Sequence, residues 1–175
     1  MILKTTLFGH TYEFKSVREV MAKANEEKSG DKLAGIAAET AEERVAAKVV
    51  LSNLTLENLR ENPAVPYEVT RIIQDGVNES IYNSIKGWTV AQLREWILDT
   101  ETTGDMIKRV SRGLTSEMVA GVAKLMGNLD LIYGAKKIHN PTHCNTTLGL
   151  PGTFSSRLQP NHTTDDPKGI MASVM

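Results

Sequence analysis

The chain has a single cysteine, Cys144, among its 175 residues. That excludes an internal disulfide framework and fits a reducing compartment. It has almost no excess of charge: 20 Lys and Arg against 21 Asp and Glu leave a formal net charge of −1. No global field therefore draws it to nucleic acid or to an anionic membrane. No window approaches the roughly 18 apolar residues of a membrane span. The first residues, MILKTTLFGHTYEF, put charged and polar groups where a signal peptide needs an apolar core. Internal repeats, low-complexity tracts and charge blocks are lacking too. What is there, 41% hydrophobic and 23% charged residues, is ordinary for a globular domain. The length suits one domain with a core of its own, with or without an appendage. The expectation is a mainly helical, cytoplasmic protein.

Helix signals fill the chain up to about residue 138. Residues 2–14 alternate around Gly9-His10 and predict a short hairpin or extended arm. Ser16 with Glu19, Thr40 with Glu43, and Thr89 with Gln92 are capping boxes, in which a side chain at each end satisfies a backbone donor near the other. The first opens a helix through Val17, Val20, Met21 and Ala24 that Ser29-Gly30 should end. Asp31 can cap a segment whose Leu33, Ile36 and Ala37 share a face. After Thr40, Val45 and Val49 mark the expected buried stripe. Thr55 starts a short helix through Leu56 and Leu59, stopped before Pro63.

The strongest periodicity predicts one helix over 67–86, with Val69, Ile72, Ile73, Val77, Ile81 and Ile85 on one face. Trp88 can staple onto Leu93, and a short helix carries Met106, Ile107 and Val110. From Thr115 a helix should bury Val119, Val122, Ala123 and Met126. Leu129–Ile138 is ambiguous between helix and extended chain. From Asn145 the residues Thr146, Thr147, Leu148 and Leu150 favour a strand. Thr164-Asp165-Asp166-Pro167 then looks like a helix start, followed by only about two turns at 3.6 residues each. The tail reads as interrupted.

Four groups could carry chemistry. His139 and His143 have metal-ligand spacing, but Asn140-Pro141 between them breaks the helix that would align them, and no further cluster completes a zinc site with Cys144. As a nucleophile Cys144 would need a positioned base, and adjacent His143 offers poor geometry. Arg109, Arg112 and the helix from Thr115 have the outline of a DNA reader, yet that helix presents Glu117 early and only Lys124 as a cation. Arg157 and Gln159 are two apart in a segment after the strand, so an extended backbone would point both to one side. A guanidinium fork and an amide could there meet one small polar ligand. Spacing alone leaves open whether Arg157 instead ties the loop to nearby carbonyls.

Several stretches are more specific: LKTTLFG (Leu3–Gly9), GLTSEMVAGVAK (Gly113–Lys124), DLIYGAKK (Asp130–Lys137) and NTTLGLPGTFSSRLQPN (Asn145–Asn161), supported by ERVAAK (Glu43–Lys48) and RIIQDGVNE (Arg71–Glu79). In these the chain resembles the N-terminal part of the large subunit of ethanolamine ammonia-lyase, over essentially its whole length. The resemblance implies a helical region over residues 1–144 and, over 145–175, the first strand, substrate loop and first-helix start of an incomplete α/β (TIM-type) barrel. It implies a radical enzyme dependent on adenosylcobalamin that turns ethanolamine into acetaldehyde and ammonia. The substrate contacts it implies are Arg157, Leu158 and Gln159, with no catalytic, cofactor-binding or metal-ligating residue in this chain. Gln159 would bond substrate polar groups, and Arg157 would stabilise the hydroxyl or the migrating intermediate.

The implied partners are the small subunit and other large subunits, with neither nucleic acid nor membrane. The implied location is the cytoplasm or the lumen of a bacterial microcompartment. A full (β/α)₈ barrel takes on the order of 250 residues, so most of the cofactor site would lie outside this chain. The expectation is that the 175 residues alone do not turn over ethanolamine. The alternative is a helical assembly module without catalysis.

Overall fold

Phe8 and Gly9 both take left-handed backbone angles, φ 55° and 80°, in the computed structural model, which describes residues 1–63, 67–138, 142–143, 147–149, 168 and 171. They form the two-residue loop between β1 (Lys4–Leu7) and β2 (His10–Glu13), whose register sets Leu7 opposite His10. Two positive φ angles make a type I′ turn, which matches the right-handed twist of the strands. Gly9 adopts it freely, whereas Phe8 bears a steric cost at its Cβ. The expected hairpin is present, with its turn one residue earlier than Gly9-His10.

The caps set the next elements. Ser16 Oγ accepts from the Glu19 N–H at 3.2 Å and starts α1 (Val17–Lys23), while Glu19 accepts from the Lys15 N–H at 2.7 Å. The reciprocal half of the expected box thus falls one residue early. α1 stops at Ala24, and Ser29-Gly30, expected to end it, instead opens the single turn of α2 (Ser29–Leu33). Leu33 and Ile36 are 91% and 47% exposed; with no face to bury, α2 does not extend. Thr40 caps α3 (Ala41–Asn53), and Thr55 and Asn58 form a full box on α4 (Leu56–Glu61).

The single helix expected over 67–86 is two, α5 (Glu68–Asp75) and α6 (Glu79–Ile85). Asn78 accepts from the Ile81 N–H at 3.1 Å as a new N-cap. Gly76 is a poor helix former and Asn among the best caps, so local chemistry overrides the apolar period. The expected common face divides accordingly: Val77 and Ile85 enter the core with Tyr82, but Val69 and Ile72 are more than half exposed.

α7 (Val90–Leu98) has both halves of its Thr89–Gln92 box. Trp88 meets Trp96 edge to face, centroids 5.7 Å apart. α8 (Gly104–Ser111), α9 (Ser116–Leu125) and α10 (Asn128–Lys137) follow. The ambiguous stretch Leu129–Ile138 is therefore almost all helix.

The core gathers on α3, against which α1, α7, α9 and the hairpin pack. Its buried face is Ala46, Ala47, Val50 and Leu51, while Val45 is 43% exposed. That corrects the Val45/Val49 stripe. Small side chains win this face because several elements approach it closely. α9 shows the same offset, burying Met118, Gly121 and Val122 and exposing Val119. A methyl group at Gly121 would already touch Leu59, Leu51 and Val90 at 3.4–3.7 Å. Leu51, Leu56, Leu59 and Leu93 are fully buried, each worth about 1.5–3 kcal/mol relative to exposure.

The chain divides into two compact units, Met1–Ile138 and His139–Met175. In the second, β3 (Thr142–His143) pairs antiparallel with β4 (Thr147–Leu148), Thr142 opposite Leu148. The strand expected from Asn145 is thus represented by Thr147 and Leu148, because Gly149, at φ 86°, turns the backbone out of the extended region. Asn145, Thr146 and Leu150 lie outside the described residues. Lys168 and Met171, beyond the expected helix start, are helical and exposed.

Candidate functional site

Arg157, Leu158 and Gln159 lie outside the described residues, as do His139 and Cys144. His143 stands in β3. Among the described residues no three His, Cys, Asp or Glu side chains converge to hold a metal ion, and no helix is long and apolar enough to cross a membrane. Of the concave features that the described residues of the first unit form, the most apolar is a cleft between α9 and α10, floored by Leu93 and Ile97 of α7.

The cleft encloses about 240 Å³; Val119, Val122, Ala123 and Met126 form one wall, and Leu131, Gly134, Ala135 and Ile138 the other. Three contacts hold α10 against α7 to form it, and a fourth caps α10 itself. Asp130 accepts from Arg94 at 2.6 Å and from the Gly127 N–H at 3.3 Å. The Arg94 bond, then the backbone one, hold the Asp130 carboxyl below the usual carboxylate range. The Lys137 ammonium donates to the carbonyl oxygens of Ile97, at 2.9 Å, and of Asp99, closing the C-terminal end of α7, and lies 4.6 Å from the Tyr133 ring centre. Gly134 lets the helix settle on Ile97, and Gly104 lets the start of α8 meet the Lys137 carbonyl. Asp130, Tyr133, Gly134 and Lys137 all belong to the DLIYGAKK stretch, so its pattern has a packing explanation.

This lining offers no general acid, base, nucleophile or oxyanion donor. It can only bury apolar matter. Two signals for it were present in the sequence: LDLIYGAKKI carries apolar residues on more than one face, and the expected α9 stripe named Val119, Ala123 and Met126. All three line the cleft, and Met126 packs against the closed core as well.

The charged side chains of the first unit mostly tie helices together. Arg60 forms a fork to Glu79 while its guanidinium lies 4.2 Å from the Tyr82 ring centre. Burial raises the Tyr82 hydroxyl above its usual range, and Arg60 partly opposes this. Burial is the largest single influence on Lys23 and works against its charge, but the bond to Glu43 together with the charges of Glu43, Glu19 and Glu39 raises the ammonium. Lys124, bonded to Asn25 Oδ1 at 2.9 Å, is lowered by burial and then by Lys28. Arg109, weighed above as part of a DNA reader, lines a wider recess of about 540 Å³ with Trp88, Trp96 and Met106. None of these groups faces the cleft.

Residues 12–175 match the family model described as ethanolamine ammonia lyase large subunit. The large subunit of ethanolamine ammonia-lyase from Escherichia coli (strain K12) is 58% identical over 177 residues, covering 99% of this chain and 39% of that protein. Its counterpart from Salmonella typhimurium is 57% identical with the same coverage. The chain therefore spans about two fifths of the length of the curated relatives it matches.

Proposed function

Because this chain belongs to the ethanolamine ammonia-lyase large-subunit family, we propose that it serves a carbon–nitrogen lyase that converts ethanolamine into acetaldehyde and ammonia, and that it supplies one wall of the substrate pocket. The observation that carries this reading is the 58% identity that extends across 99% of the chain, and so across the RLQ segment. Residues 1–144 are then a helical region and 145–175 the first strand, loop and helix start of an α/β barrel. Barrel enzymes keep their chemistry at the C-terminal ends of strands, where a segment directly after the first strand would stand. Arg157 supplies a fork of donors to the substrate hydroxyl or the migrating intermediate, Gln159 bonds substrate polar groups, and Leu158 lies between them.

The family's cofactor is adenosylcobalamin. The described residues do not fit it: their cleft, of about 240 Å³, has an apolar lining without donors for its polar groups. In this reading the cofactor contacts come from other parts of the large subunit, and no step is assigned to residues of this chain through it. The partners are ethanolamine, the small subunit and further large subunits of a homo-oligomeric core, in the cytoplasm or a microcompartment lumen. The 175 residues contribute to the site and do not constitute it.

A second reading, an assembly module without catalysis, is favoured by one observation, the cleft without chemistry. One experiment separates the two. The matched portion of the Escherichia coli large subunit is replaced by this chain, and the chimera is assembled with small subunit. Arg157→Ala should lower turnover by on the order of a hundredfold, the loss typical of one transition-state donor, with assembly unchanged. Lost assembly at normal specific activity would instead establish the assembly reading.

A further inference from the structure

We infer that the recess between α6, α7 and α8 is a binding site for a small planar anion, an aromatic ring that carries a carboxylate or a phosphate. The recess encloses about 540 Å³, within the ordinary range of small-molecule sites. Its lining divides into two chemistries. Trp88 and Trp96, half-buried and edge to face, form the apolar side together with Met106. Rings set edge to face leave the faces of one uncovered by the other, and such a π-face accepts a stacked ring. Met106, 43% exposed, is a flexible flank that follows a ring's outline.

The polar side fixes the sign of the ligand. Arg109 is the one charged side chain on the lining among the described residues. Arg44, Arg60, Arg71 and Arg94 each pair with an Asp or Glu, whereas among the described residues no carboxylate pairs with Arg109. Its fork of donors therefore stands ready for a carboxylate or phosphate, the two groups whose oxygens match it. Ser84, on the same lining, gives its proton to the Ile81 carbonyl at 2.6 Å. What its hydroxyl offers a ligand is a lone pair, suited to a ring substituent that donates. A cation would meet repulsion from Arg109, and an anion without a ring would leave the indoles unused. All of these residues belong to the first unit, so the site does not depend on the roles given to Arg157 and Gln159.

Trp88 and Trp96 are the two tryptophans of the chain, so its indole fluorescence reports the recess directly. Phenyl phosphate and benzoate are titrated separately into the 175-residue chain, with benzyl alcohol as the ring without charge and inorganic phosphate and acetate as the charges without a ring. At least one of the two aromatic anions should quench with a saturable midpoint below about 2 mM, and which of them does so identifies phosphate or carboxylate as the charged group. Arg109→Gln should raise that midpoint at least about tenfold, the loss of a charge-assisted bond, while Arg109→Lys, with the charge but not the fork, should fall between. Arg112→Gln, outside the lining, should leave it unchanged. Arg109 is exposed, so thermal melting should be the same for parent and variants. An Arg109→Gln midpoint equal to the parent's overturns the proposal, as does quenching by benzyl alcohol, phosphate or acetate at the midpoint of the aromatic anions. So does the lack of a saturable response to either aromatic anion up to about 2 mM.

Discussion

Thr55 and Thr89 stand opposite each other in an isolated antiparallel bridge, each capping the helix that starts at the next residue. Flanking backbone bonds, Leu56 N–H to Trp88 O and Val90 N–H to Leu54 O, both 2.9 Å, lock the two helix starts together. Thr89→Ala and Thr55→Ala should each cost about 1 kcal/mol, the usual value of a lost cap. Because fraying of one helix start withdraws the backbone partner of the other, the double variant should lose less than the sum, by about 0.5 kcal/mol. Urea unfolding of the four proteins measures this, and strict additivity would show that the bridge does not couple the caps.

Gly104 is the first residue of α8, and a Cβ there would run into the carbonyl oxygen of Lys137, the last residue of α10. A backbone atom cannot swing aside as a flexible side chain can. Gly104→Ala should therefore destabilise by about 1–3 kcal/mol, as overpacking does. Gly87→Ala is the control, with nothing within 4 Å of its new methyl group, and should stay within about 0.5 kcal/mol. Equal melting temperatures for the two variants would mean that the end of α10 is not held against α8.

Asp130 gives a pH signature. Its folded carboxyl titrates below the ordinary value because Arg94 and the Gly127 N–H favour the charged form. Stabilisation from a depressed acid is complete above the unfolded pKa of about 3.9 and vanishes as pH falls through the lower folded value. Asp130→Asn should thus be less stable than the parent at pH 7, and the gap should close in acid well below the ordinary carboxylate range. Denaturant midpoints at the two pH values decide it; a gap that persists in acid would assign the loss to packing.

The caps were legible because capping is a contract between residues three apart. Ser16, Thr40, Thr55 and Thr89 all cap the helices they were expected to open. Buried faces were not legible, because they depend on which neighbour comes closest. On α3 the fully buried places go to Ala46, Ala47 and Leu51 while Val45 faces outward, and a scale that ranks valine above alanine misses this. On α9 the crossing needs Gly121. The break at Gly76–Asn78 was hidden by an apolar period that ran across it, and only the cap chemistry of Asn78 reveals it. As for the site, Arg157 and Gln159 were named from family resemblance, because their spacing alone did not decide between ligand and loop. The cleft went unread since Val119 and Ala123 were assigned to the closed core.

α5 buries only Thr70 along its length, and its Arg71 pairs with Glu68 and Asp75 of the same helix. Those ion pairs stiffen the helix from within, while the Gln74 side chain donates to the Arg60 carbonyl of α4 at 3.1 Å. The first unit therefore does not have one stability but a gradient of them. Residues 68–75 should open more readily than the α3 core, with faster amide exchange there as the measure. Such an opening is an early point of entry for a protease, and it leaves the centre of the unit folded.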